Sequence, residues 1–381
     1  MNDMRYDPSD EMEKTLKKII LQIGDPDEKA MDRARKRQDA LAKPPGSLGQ
    51  LEEISIRLSG ITGRLMNEIR ERHILVFCAD NGVVREGVAS APQSVTLAQT
   101  LNLTKGLTGA AVLAHEFGCR MRVCDIGVNA EIKNPTVIDR KVAYGTCNMA
   151  EGPAMTREQA LRAILSGAEL AMESADLGAG ALGIGEMGIG NTTTASAVLS
   201  VLTGSNPEQV TGRGAGITDE AYLKKISVIR RAIALNQPDP GDAVDTLAKI
   251  GGLDIAAMAG AFIGAAAKRI PAVIDGFISS VAAICAVRIC SRVRTYLFAS
   301  HASYEVGAQT AMKELGLVPM LNLGMRLGEG SGCPLAMMLI DAACAVMNRM
   351  ATFDEARIDD GYLDPIRRID AFSVHGRGNA S

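Results

Sequence analysis

The chain has 381 residues, enough for one large α/β domain with an appendage or for two ordinary domains. Its 41 Lys and Arg against 44 Asp and Glu leave a net charge of −3, which provides no positive field for a polyphosphate backbone and argues against a nucleic-acid binder. Hydrophobic residues make up 47% but aromatics only 3%, with 39 Gly, 18 Met and no Trp, so the core is expected to be aliphatic and tightly packed, unlike that of a β-sandwich or barrel.

In chain order, the N-terminus MNDMRYDPSDEMEKTLKK alternates acidic and basic residues without the apolar stretch of a secretory signal, which predicts a cytoplasmic protein. Residues 11–42 carry Leu16, Ile19, Ile20, Ala30, Met31 and Ala34 at helical spacing, and KPPGSLG then breaks the pattern. From His73 onward short apolar runs recur, each ending in an acidic or Gly-rich turn: HILVFCADNG, RMRVCDIG, ALGIGEMGIG and IPAVIDGF. Such runs separated by helical segments predict an α/β fold, a parallel sheet with helices on both faces. Thr156 and Gln159 have capping-box spacing before LRAIL, and a second helix should open at Asn191 or Thr192. The apolar run between Asp254 and Lys268 is too short to span a bilayer and reads as a buried helix. Near the C-terminus PLAMMLIDAACAVMNRM predicts another helix, and the final HGRGNAS a disordered tail. The expected division is a large α/β catalytic domain over 67–332 and a small helical domain built from 1–66 together with 333–381.

The eight cysteines include no CxxC, and none of the four histidines stands at zinc-ligand spacing from them. Most sit in apolar surroundings, so reduced, structural thiols are expected.

In open parallel sheets ligands bind beyond the C-terminal ends of the strands, which directs attention to three turns. The first, GIGEMGIGNTTT, places Gly183, Gly185, Gly188 and Gly190 before a Thr-rich helix start, where free N–H groups favour an anion such as a phosphate. It satisfies GxGxxG, but the acidic partner a dinucleotide site wants about 20 residues on is replaced by Glu208 in a turn-like segment, and no GK[ST] follows. Tight packing of small residues is the alternative reading. The second, LNLGMRLGEGSG, isolates Glu329 between Gly328 and Gly330, which makes it a candidate general base or a solvated loop carboxylate. The third, CADNGVVREGVASAPQSVT, offers Asp80, Asn81, Ala91, Pro92 and Gln99, with Asp80 and Asn81 equally readable as turn formers.

KPPGSLGQLE, ADNGVVREGVASAPQSVT, GIGEMGIGNTT, RRAIALNQPDP, GGLDIAAMAG, PAVIDGF, SHASYEVG and MRLGEGSG, in this order, resemble the nicotinate-nucleotide:dimethylbenzimidazole phosphoribosyltransferases of cobalamin assembly. The resemblance runs from about Leu16 to Met350. It implies transfer of a 5-phosphoribosyl group from nicotinate mononucleotide to a lower-ligand base, giving an α-ribotide and nicotinate. By the same resemblance Glu329 is the general base. Glu186, Gly188, Ile189, Gly190, Asn191 and Thr192 form a phosphate–ribose cradle, joined by Lys225, Asp275 and Ser303. Ala91, Pro92, Gln99, Met187 and Leu327 face the incoming base. No metal and no cofactor is implied. The partners implied are small-molecule substrates, with neither nucleic acid nor membrane, and a second copy of the chain in a homodimer, the alternative being a heterodimer with a paralogue.

Ala91 and Met187 stand where the family more often has Ser and Leu. A more apolar, adaptable base pocket follows, and with it a runner-up acceptor, phenol or p-cresol, with purines third. Two readings from other classes are a nicotinamide oxidoreductase, resting on GxGxxG alone, and a non-catalytic subunit that stabilises a homologous partner.

Overall fold

The computed structural model describes residues 8–367, so the expectation of a disordered HGRGNAS tail lies outside the described residues. Six strands form one parallel sheet: β1 (Glu71–Ala79), β2 (Arg120–Gly127), β3 (Ile138–Asp139), β4 (Ala179–Met187), β5 (Ala272–Ile274) and β6 (Leu297–Ala299), ordered β3-β2-β1-β4-β5-β6. The last seven residues of β1 are buried, as a strand covered by helices on both faces requires. The four apolar runs of the sequence correspond to β1, β2, β4 and β5. β3 and β6, two and three residues long, have no counterpart among those runs. Because the order reverses between β1 and β4, the crevice beyond their C-terminal ends is the topological switch point where doubly wound sheets bind ligands.

The helix Arg157–Asp176 opens on the expected capping box of Thr156 and Gln159, and the helix Asn191–Thr203 starts at Asn191. The apolar run after Asp254 forms the helix Leu253–Ala267, buried up to its last residue. It lies almost backbone to backbone against Arg157–Asp176. A Cβ on Gly167 would come 1.8 Å from the Ala257 carbonyl oxygen, and one on Gly260 equally close to that of Ile164. The Ala and Gly richness is thus spent on bringing two helices together at a density that larger side chains forbid.

The chain divides into two compact units. Among the described residues the larger comprises 8–24 with Glu71–Ala336, and the smaller Asp25–Arg70 with 337–367. The first helix, Pro8–Ile20, therefore belongs to the large unit, whereas the sequence reading grouped it with the small one. Its Leu16 and Ile19 are buried, and its Glu13 pairs with Arg157 at 2.9 Å. In the small unit Ala34, Ile56 and Met347 form a core packed by Met31 and Leu65. There Lys43 of the KPPGSLG segment makes a buried ion pair with Glu52 at 2.8 Å.

All eight cysteines are free thiols; seven are buried and Cys147 is exposed. Burial pushes the Cys78, Cys124, Cys285 and Cys333 thiols above their ordinary range. Among the described residues no helix is long and apolar enough to cross a membrane, and no group of three or more His, Cys, Asp or Glu could hold a metal ion.

Candidate active site

A cavity of about 290 Å³ opens at the C-terminal ends of the strands. One wall is the turn after β4. Glu186, Met187, Gly188, Ile189, Gly190, Asn191 and Thr192 all border the cavity. Gly190 (φ +93°) precedes Asn191–Thr203, and no side chain caps that helix, so its N-terminus presents N–H groups and the positive end of its dipole. A second helix, Phe277–Ile289, begins at the same cavity, behind Gly276, and also lacks a side-chain cap. Two helix N-termini converging on one space favour a bound anion. The sequence reading found the first and missed the second.

The glycines of β4 serve a different purpose from the one their motif suggests. A Cβ on Gly183 would lie 2.5 Å from Cys333 Cβ, and one on Gly185 would lie 2.3 Å from the Gly330 amide nitrogen. They are notches that seat the Glu329 loop on the strand. Gly188 borders the cavity, but a Cβ there would meet the Ala79 carbonyl oxygen at 2.3 Å, so close packing alone excludes a side chain.

Glu329 sits on that seated loop, is buried, and borders the cavity. Its φ of +62° lies between Gly328 at +84° and Gly330 at +82°, three left-handed residues in a row. For a residue with a Cβ this conformation costs roughly 1–2 kcal/mol, and it persists because the surroundings enforce it. Asp275, at the end of β5, supplies the restraint: its two carboxylate oxygens accept the amides of Gly330 at 3.0 Å and Gly332 at 2.7 Å. The Glu329 carboxylate in turn accepts from Gln99 Nε2 at 3.3 Å and from the Ala110 amide at 3.4 Å.

Burial raises the acids in and behind the cavity wall, Glu186 the most. Burial, reinforced by the charge of Asp254, pushes Glu186 up to about 8 despite the Asn191 amide bonded to it. Burial raises Asp275 to about 7 and Asp254 to about 6. Asn191 Nδ2 also donates to Asp254 Oδ2 at 3.0 Å, so one amide ties the two acids together. Asp254 lies within GGLDIAAMAG and was not foreseen as part of the site; a carboxylate near the start of a wholly apolar helix was the available signal.

The remaining expected residues fall into two groups. Ala91, Gln99, Leu327, Asp275 and Ser303 border the cavity; Pro92 and Lys225 do not. The Pro92 carbonyl accepts the Val95 amide in the turn leading into Ser94–Thr104. Lys225 is buried behind the wall, where its Nζ donates to Thr192 Oγ1 and to the Gly212 carbonyl, both at 2.9 Å, and burial lowers it to about 8. It therefore supports Thr192 from behind. Asp80 is a fastener, accepting the Asn129 amide at 2.7 Å. The hydroxyl absent at Ala91 is available one residue earlier, because Ser90 borders the cavity. Arg213 and Arg326 add two cations to the lining, Arg326 lying over the Tyr304 ring at 5.5 Å. Neither was foreseen.

This geometry joins an anion cradle to a carboxylate held on a strained loop, and sequence comparison points the same way. A family model described as Phosphoribosyltransferase matches residues 23–358. A nicotinate-nucleotide–dimethylbenzimidazole phosphoribosyltransferase of Clostridium perfringens is 47% identical over 359 residues, covering 94% of this chain and 99% of the relative. One from Yersinia enterocolitica is 46% identical over 345 residues, covering 91% and 98%. The crystal structure of CobT from Thermus thermophilus superimposes with a TM-score of 0.85 at 40% identity, over 87% of this chain and all of that one. With a matching family model over most of its length and relatives at this identity over nearly their whole chains, the protein belongs to the nicotinate-nucleotide–dimethylbenzimidazole phosphoribosyltransferase family.

Proposed function

We propose that the enzyme transfers the 5-phosphoribosyl group of nicotinate mononucleotide to 5,6-dimethylbenzimidazole, giving an α-ribotide and nicotinate, with Glu329 as general base. The observation that carries this reading is the Glu329 carboxylate, fixed in a strained loop on the same cavity as two uncapped helix N-termini. In the donor the ribose is attached to a pyridinium nitrogen. Cleavage neutralises that charge, so the leaving group needs no acid. As one azole nitrogen attacks C1′, the partner N–H becomes acidic, and a positioned carboxylate takes the proton. Inversion from a β-nucleotide to an α-ribotide is a single displacement, with no covalent intermediate on the protein. Holding Glu186 protonated spares the donor phosphate an added negative charge, and a neutral carboxyl can also donate a hydrogen bond.

Nicotinate release from nicotinate mononucleotide, with and without a panel of bases, tests this reading. Release that depends on dimethylbenzimidazole supports it. Release driven only by p-cresol would replace the acceptor, and no release in the presence of any base would remove the activity. We also propose a homodimer and a cytoplasmic location. The exposed Tyr304, Val306, Val318 and Leu323 favour the first and the eight free thiols the second. Gel filtration and fractionation test them.

A further inference from the structure

We propose that His301 Nε2 is a hydrogen-bond acceptor that holds a ribose hydroxyl of the donor nucleotide. His301 stands two residues beyond the end of β6, is 3% exposed and borders the cavity. Its neighbours set its tautomer. Ser300 Oγ lies 2.7 Å from the Asp275 carbonyl oxygen, which can only accept, so the single hydroxyl proton points there. The same Oγ is 3.0 Å from His301 Nδ1, and with its proton committed it can only accept, which places a proton on Nδ1. The Asp275 carboxylate, 3.9 Å from Nδ1, is too far for a competing hydrogen bond. A neutral ring protonated on Nδ1 carries a bare lone pair on Nε2, and that atom is buried without a hydrogen-bond partner. Burial lowers the His301 pKa, which favours the neutral form at physiological pH.

Two glycines hold the ring in place. A Cβ on Gly332 would lie 2.3 Å from Nδ1, so the chain passes directly over that edge. The Cβ position of Gly276 lies 3.6 Å from Nε2 and 3.7 Å from Ser303 Oγ, which puts the bare nitrogen beside two residues of the cavity wall. An orphaned acceptor in a binding cavity calls for a donor on the ligand. The inference rests on the donor proposed above. At neutral pH the nicotinate carboxylate of that molecule has no proton and its phosphate is chiefly an acceptor, so the two ribose hydroxyls are the groups that can donate. His301 is thus a substrate-orienting residue that fixes the sugar while Glu329 serves the incoming base.

The test pairs enzyme variants with donor analogues lacking either the 2′- or the 3′-hydroxyl. For the wild type, loss of one of the two hydroxyls should lower kcat/KM about 5- to 150-fold, the range for leaving a buried polar group unpaired. In His301→Phe that preference should collapse to within about 2-fold, while His301→Gln, which keeps an acceptor, retains part of it. Equal discrimination by wild type and both variants at both hydroxyls would overturn the proposal. Nitrogen NMR of the histidine-labelled wild type requires no variant: protonated Nδ1 with bare Nε2, and an Nε2 resonance that moves when donor binds, is expected. A proton on Nε2 in the free enzyme, or no response to donor, overturns it. Wild-type enzyme that releases no nicotinate from unmodified donor with any base would instead overturn the functional reading, which the tautomer measurement keeps separate.

Discussion

Asp275 Oδ2 accepts the Gly330 amide at 3.0 Å, so the residue ending β5 holds the loop that presents Glu329 in its left-handed conformation. Asp275→Ala leaves the Gly330 and Gly332 amides without their acceptor, at roughly 1–3 kcal/mol each. The loop is then free to relax the Glu329 backbone, and we expect kcat to fall at least ~10²-fold, as misplacement of a catalytic group by about 1 Å does. Asp275→Asn, which keeps one acceptor oxygen, should fall between. Thermal melts and steady-state kinetics check both; an alanine variant with unchanged kcat would show that the clamp is dispensable.

Glu329→Gln keeps the size of the side chain and an acceptor for Gln99 or Ala110 but removes the proton acceptor. Turnover should drop about 10²- to 10⁴-fold, with dimethylbenzimidazole still bound and the melting temperature little changed. Near wild-type kcat would remove Glu329 from the mechanism and turn attention to Glu186.

The buried acids predict how stability responds to pH. Unfolded, Glu186, Asp254 and Asp275 titrate near 4; folded, they titrate at about 8, 6 and 7 respectively. Between those limits the native state keeps protons that the unfolded chain has lost, so their contribution is fully present below about pH 4 and is lost as pH rises through the folded values. Glu186→Gln removes one such group. Urea midpoints measured from pH 5 to 8 should fall less steeply in the variant than in the wild type. Parallel curves would mean that Glu186 is ionised in the native enzyme.

Substitution of Gly188 separates packing from ligand contact. Because a Cβ there meets the Ala79 carbonyl oxygen at 2.3 Å, Gly188→Val should cost stability and depress the use of donor and acceptor together. A variant as stable as wild type, with a raised KM for the donor alone, would restore the simpler picture of a residue excluded by phosphate.

On the acceptor side Ala91→Ser adds a hydroxyl worth about 0.5–1.5 kcal/mol, roughly 2- to 13-fold in relative kcat/KM. In competition between dimethylbenzimidazole and p-cresol, the variant should shift toward the benzimidazole. Since Ser90 already borders the cavity, a result at the lower end of that range is expected. An unchanged product ratio would show that position 91 does not read the acceptor.

The parts of the fold legible in the sequence were those with a local cause. Four apolar runs made strands, Thr156 capped its helix, and Glu329 stood out between two glycines. The parts missed depend on segments that meet only in space. His301 gains significance from the Ser300 hydroxyl, the Asp275 carbonyl and the absence of a side chain at Gly332, the last lying 31 positions on in the chain. Arg213 and Arg326 look like ordinary surface charges until the crossovers bring them to one cavity. The placement of Pro8–Ile20 was illegible for a related reason, because an amphipathic helix shows the same apolar stripe whichever body it docks on.

The distribution of the thiols also gives the protein a practical handle. Seven cysteines are buried, with those in the apolar core held further from the reactive thiolate form, and Cys147 alone is exposed. It lies outside the cavity lining. A maleimide dye or spin label applied to the native enzyme therefore attaches at a single defined point, without mutagenesis, and the folded protein carries its own built-in position for distance or fluorescence measurements during turnover.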